Sequence, residues 1–70
     1  MIQFSNVDGK RLFEIPDGGC IKVTYPGGRE SVMECSYEDS CHAVIGGLMY
    51  HTCEFALSME RAKATFEAAV

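Results

Sequence analysis

Apolar and polar side chains alternate through much of the first two-thirds of the chain, and a period of two is typical of strands that bury one face. Ile2 and Phe4 alternate with polar neighbours, and Phe13 and Ile15 do the same after an Asp-Gly turn. The clearest alternation runs from 20 to 25, where lysine and threonine separate isoleucine, valine and tyrosine. The pattern predicts short strands joined by tight turns.

Two hairpin registers follow from the requirement that the apolar positions of paired strands share a face. In the first, a Pro-Gly-Gly turn sets Val23 opposite Ser31 and Ile21 opposite Met33. In the second, two glycines form the turn, because glycine adopts positive φ readily. The pairs predicted there are Ile45 with Leu48, Val44 with Met49, Ala43 with Tyr50, and His42 with His51.

After Thr52 the apolar period changes to three and four residues, which predicts one amphipathic helix over about 53–69 with Thr52 as its N-cap. The apolar stripe of this helix is Phe55, Met59, Ala62, Phe66 and Ala69. We therefore predict one α+β domain over residues 1–70, with its strands within 1–52. It is an antiparallel β-meander of four to six short strands with the C-terminal helix packed on one face. Closure into a barrel would require the N-terminal strand to return to the sheet.

Composition narrows the function classes. The 70 residues carry a net charge of −4 and a pI near 4.9, which argues against direct nucleic-acid binding through phosphates. No apolar run approaches the roughly 20 residues that span a bilayer, and no secretory signal is visible. We therefore expect a cytoplasmic protein whose four cysteines are reduced.

Zinc and cysteine chemistry are two alternatives that the residue types leave open. Residues of the types that bind zinc are Cys35, Cys41, His42, His51 and Cys53. Their spacing lacks the paired knuckles of structural zinc sites, so we expect no metal and no cofactor. A cysteine-based enzyme would use Cys53 with His51 as base, but so small a chain leaves little room for a substrate cleft, so we expect no enzyme activity.

Two surfaces are candidates for binding a protein partner. Glu30, Glu34 and Glu38 fall at even spacing, so they project from one face if the strand runs that far, and Asp39 extends the row. Such a row would suit a partner with a basic surface. The register of the second hairpin places His42, Val44, Met49 and His51 on a second shared face. This face is a protein contact or a homodimer seam, unless the N-terminal hairpin covers it.

The C-terminal two-thirds of the chain resembles a known group of domains. The resemblance rests on the segments VTYPGGRE, HAVIGG and YHTCEFALSMER, and in particular on His42, Val44, Gly46, Gly47, Tyr50, His51, Glu54, Phe55, Ala56 and Met59. These segments resemble the large polyvalent protein-associated domains that conjugative elements and phages of gut Firmicutes carry.

The resemblance implies a mobile genetic element or phage as the source and supplies no catalytic residues. Small acidic proteins of such elements are often inhibitors of host defence proteins, anti-CRISPR proteins among them. The expected function is therefore a non-catalytic protein-binding module whose partner is a basic protein such as a defence nuclease. The alternatives are a zinc-stabilised structural module, a domain cut from a larger polyvalent protein and, third, the cysteine enzyme. The residues expected to contact the partner are Glu30, Glu34, Glu38, Asp39, His42, Met49 and His51.

Overall fold

The computed structural model describes residues 1–69, which form seven strands and one short helix. In chain order these are β1 (Ile2–Ser5), β2 (Arg11–Ile15), β3 (Cys20–Thr24), β4 (Glu30–Asp39), β5 (His42–Ile45), β6 (Leu48–His51), α1 (Phe55–Arg61) and β7 (Thr65–Ala68). The class is mostly antiparallel sheet with one helix, which fits α+β in outline. The expected four to six strands were too few.

The strands form two antiparallel sheets. β1 and β2 make a two-stranded hairpin, and the other five strands lie in the order β6-β5-β4-β3-β7. β4 pairs with β3 through residues 30–34 and with β5 through residues 35–39, so this long strand joins the two halves of the larger sheet. The last strand returns to pair with β3, the first strand of the meander.

Both predicted hairpin registers are confirmed. Val23 lies opposite Ser31 and Ile21 opposite Met33 in the first hairpin. The four predicted pairs of the second hairpin, from Ile45 with Leu48 to His42 with His51, are all present. The register fixes which side chains share a face, because one residue of slip would exchange the faces of a strand.

The core lies on one side of the five-stranded sheet, which we call the inner face. It carries the buried side chains Ile21, Val23, Cys35, Ala43 and Ile45. The N-terminal hairpin and the helix complete this core from the same side, because Ile2, Phe4, Ile15 and Phe55 join the same buried cluster. The ring of Phe55 packs edge-on against Phe4 and Tyr50, at centroid distances of 5.6 and 5.2 Å. The opposite side of the sheet, the outer face, is left uncovered by both elements.

The predicted helix over about 53–69 is wrong in length, since α1 ends at Arg61. The chain leaves the helix through Lys63, whose φ of 56° is left-handed. The Ala64 N–H donates to the Met59 carbonyl and the Lys63 N–H to the Glu60 carbonyl, at 2.9 and 3.0 Å. This is the Schellman arrangement that ends helices, formed here around lysine instead of glycine.

The second half of the predicted helix is strand β7. Phe66, expected on the helical stripe, pairs opposite Val23 in the sheet and places its ring 5.1 Å from Phe55 and 5.6 Å from Phe13. β7 therefore extends the larger sheet at its β3 edge, and the sheet stays open, with β6 and β7 as its two outer strands. Thr52 is also not the N-cap: Glu54 occupies that position, and the buried Thr52 hydroxyl donates to the Cys41 carbonyl at 3.4 Å.

Candidate functional site

The residues expected to contact a partner lie on β4, β5 and β6. Glu30, Glu34 and Glu38 are exposed on β4. The strand does run to Asp39, but the row is not regular. Tyr37 pairs with Ala43 while Asp39 pairs with His42, so Glu38 is the extra residue of a β-bulge. A bulge moves the following residue into the next pairing position, so Asp39 takes the place beside His42 that Glu38 would otherwise hold.

The bulge brings three of the predicted residues together. Asp39 Oδ1 lies 2.8 Å from His42 Nδ1, and the His42 and His51 rings lie 4.2 Å apart between centroids. The Cys41 N–H also donates to Asp39 Oδ1, at 2.8 Å. That backbone hydrogen bond, followed by the bond with His42, lowers the pKa of the Asp39 carboxyl. The carboxylate is therefore ionised at neutral pH although it takes part in a local network.

The carboxylates differ in how far the chain neutralises them. Lys22 Nζ lies 2.9 Å from Glu67 and 3.5 Å from Glu30, and these two carboxylates raise the pKa of the lysine. Glu30 is thus partly compensated within the sheet. Among residues 1–69, Glu34 and Glu38 form no ion pair, which leaves their charges available to a partner.

Apolar side chains lie between these charges on the outer face. Met49 is 58% exposed and Val32 is 61% exposed, while Val44 is half-buried opposite Met49. The sequence left open whether the N-terminal hairpin covers this area. It does not, because the hairpin packs into the core on the inner face through Ile2 and Phe4.

We define the outer surface as the seven predicted residues together with the exposed apolar side chain between them: Glu30, Glu34, Glu38, Asp39, His42, Met49, His51 and Val32. It combines the exposed apolar side chains Met49 and Val32 with four carboxylates. Isolated exposed apolar residues are ordinary, but apolar residues grouped among unpaired carboxylates such as Glu34 and Glu38 could bind a partner of complementary charge.

A pocket at the margin of this surface was not predicted from the sequence. It encloses about 290 Å³ and is lined by Met1, Ile2, Gln3, Tyr37, Asp39, Ser40 and Thr52. It forms because β1 is tied to the end of β6, where the Ser5 N–H donates to the Thr52 carbonyl at 3.2 Å. No local sequence pattern indicates this contact, because Ser5 and Thr52 are far apart in the sequence. None of the cysteines or histidines lines the pocket.

The cysteines do not converge. Cys41 is exposed, Cys20 and Cys53 are half-buried, and Cys35 is buried, where the loss of solvation raises the pKa of its thiol to about 11. Within residues 1–69, no three side chains among His, Cys, Asp and Glu are arranged to hold a metal ion. The geometry therefore gives the zinc alternative no support from the described residues.

Comparisons with protein-family models, with curated proteins and with solved structures found no match to this chain. The one helix in the described part of the chain is not long and apolar enough to cross a membrane.

Proposed function

We propose that this chain is a non-catalytic protein-binding module that presents its outer surface to a partner with a basic surface. The observation that carries the proposal is the composition of that surface. Val32 is exposed two residues from the unpaired Glu34 on β4, and Met49 is exposed on β6, on the same face, which neither the helix nor the N-terminal hairpin covers. Burying the apolar groups would supply contact energy, and the carboxylates would steer a basic partner and fix its orientation.

The setting comes from the resemblance to polyvalent protein-associated domains. From it we propose a mobile genetic element or phage as the source of the module and a host defence protein as the partner that it inhibits, as an anti-CRISPR protein does. A defence nuclease fits the required chemistry, since its substrate groove is rich in Lys and Arg. The acidic outer surface would compete with nucleic acid for such a groove.

Affinity capture from a Firmicute host lysate tests the proposal. The tagged chain is compared with Glu34→Lys, which reverses a charge in the outer surface, and with Glu60→Lys, a matched reversal on the exposed side of α1. We expect one basic protein to be retained by the wild-type chain and by Glu60→Lys, released at high salt, and lost from Glu34→Lys. Equal capture by both variants would contradict the assigned surface, and capture of nothing by the wild type would contradict the function.

A further inference from the structure

We propose that the pocket between β1 and the end of β4 takes one arginine side chain of the partner protein. The inference rests on the proposed function for the source of that side chain and deepens it by assigning an anchoring subsite. The shape of the pocket, its charge and its aromatic wall each point to this ligand.

The pocket has the size of one long side chain. Its volume is about 290 Å³, at the lower limit of ordinary small-molecule sites. Of the lining residues, Ile2 and Thr52 are buried, whereas Met1 and Tyr37 are 70% and 51% exposed. Aliphatic and aromatic walls of this kind accommodate the methylene stem of a long cation, whose charged end must then find a polar partner.

The charge of the pocket favours a cation. Asp39 supplies its only acidic side chain, and the hydrogen bonds from Cys41 and His42 hold the carboxylate in place through Oδ1. The other oxygen, Oδ2, is then available to an external donor. Within the described chain, the only basic side chain paired with Asp39 is the His42 imidazole. A carboxylate held in this way is pre-organised for a charge-assisted hydrogen bond.

The aromatic wall favours arginine over lysine. A guanidinium stacks on a tyrosine ring and still directs its N–H groups to acceptors around it, which a compact ammonium does less well. Ser40, Thr52 and Gln3 line the same pocket as Tyr37, and their side-chain oxygens can accept hydrogen bonds. The same pairing exists elsewhere in this chain, where the Arg29 guanidinium lies 4.7 Å from the centre of the Tyr25 ring.

The test is an NMR titration of the ¹⁵N-labelled chain with Nα-acetyl-arginine methylamide. The neutral isostere, Nα-acetyl-citrulline methylamide, is the control ligand. We expect the arginine compound to shift the amide signals of Gln3, Tyr37, Ser40 and Thr52, and the citrulline compound to bind at least tenfold more weakly. Equal binding of the two compounds, or arginine shifts centred on Glu34, would overturn the proposal.

Variants separate the pocket from charge in general. Asp39→Asn keeps an acceptor for the Cys41 N–H and should weaken arginine binding at least tenfold, while Glu34→Gln makes the same charge change outside the pocket and should leave it unchanged. Tyr37→Leu should weaken binding severalfold. Unchanged binding by Asp39→Asn would refute the site. Because this titration needs no partner, failure here with intact Glu34-dependent capture would remove the subsite and leave the proposed function standing.

Discussion

Asp39 connects three features of the molecule through one side chain. It ends β4 after the bulge, it holds His42 beside His51, and it supplies the charge of the pocket. Its backbone hydrogen bond from Cys41 spans two residues, which is the local turn that Asp forms readily. The position of this carboxylate is therefore set by short-range geometry and not by distant contacts.

The lowered pKa of Asp39 predicts a pH dependence of stability. In the unfolded chain this carboxyl titrates near its ordinary value of 3.8, whereas in the folded chain it stays ionised to lower pH. As the pH falls, the unfolded chain therefore binds a proton at Asp39 before the folded chain does. The stability that Asp39 contributes is present above its unfolded pKa and is lost as the pH falls through its folded pKa. In urea unfolding from pH 6 to pH 2, Asp39→Asn should lose less stability than the wild type. Parallel profiles would contradict the network.

Gly46 and Gly47 make a second prediction, because both have positive φ but only Gly46 is crowded. A Cβ at Gly46 would lie 2.7 Å from Met33 Sδ, while one at Gly47 would meet nothing within 4 Å. Alanine at either site should cost about 1–2 kcal/mol in the left-handed conformation. Gly46→Ala should cost more than that, since Met33 must also move. Chemical unfolding measures both, and an equal or smaller loss at Gly46 would contradict the hairpin geometry.

At the scale of elements, the end of α1 shows where sequence patterns mislead. The apolar period continues through Phe66 and no glycine or proline interrupts it, so a helix to the C-terminus was the natural prediction. The helix ends at Arg61 instead, the chain turns at Lys63, and residues 65–68 pair with β3. The apolar pattern is compatible with both arrangements. Phe55 on the helix and Phe66 on the strand still pack in the same core, with their rings in contact.

Lys63→Gly distinguishes the two arrangements directly. Glycine relieves the left-handed strain at this position, so the substitution should leave the chain more stable by up to about 1 kcal/mol after the greater freedom of the unfolded glycine is counted. Glu60→Gly, one turn earlier within α1, should destabilise by about 1 kcal/mol. A continuous helix would make both substitutions destabilising. Thermal unfolding followed by circular dichroism measures both.

The hairpins were predictable and the pairing of β7 with β3 was not, for one physical reason. Each hairpin register depends on a turn of two or three residues and on alternation within nearby strands, so the information is local. The pairing of β3 with β7 and the contact of β1 with Thr52 join segments more than 40 positions apart. The positions of the seven predicted residues of the outer surface therefore follow from local registers, apart from the bulge at Glu38, whereas Val32 was added from its exposure in the structure. The pocket depends on the distant contact and was missed.

At the scale of the whole molecule, the N-terminal hairpin and α1 both pack on the inner face of the sheet. The N-terminal hairpin supplies Phe4 and Phe13, α1 supplies Phe55 and β7 supplies Phe66, so that four phenylalanine rings pack together on that side of the sheet. A chain of 70 residues has one small core and uses its covering elements to complete it. The consequence is an outer face with exposed Met49 and Val32 among carboxylates.

Amide hydrogen exchange of the chain, alone and bound to the captured partner, tests the central claim most directly. The account predicts slower exchange on binding in the segment from 30 to 51, which carries the outer surface and one rim of the pocket. The helix α1 and the β1–β2 turn should exchange as in the free chain. Slowing confined to that helix or that turn would contradict the account, because the partner would then bind the side of the molecule that completes the core.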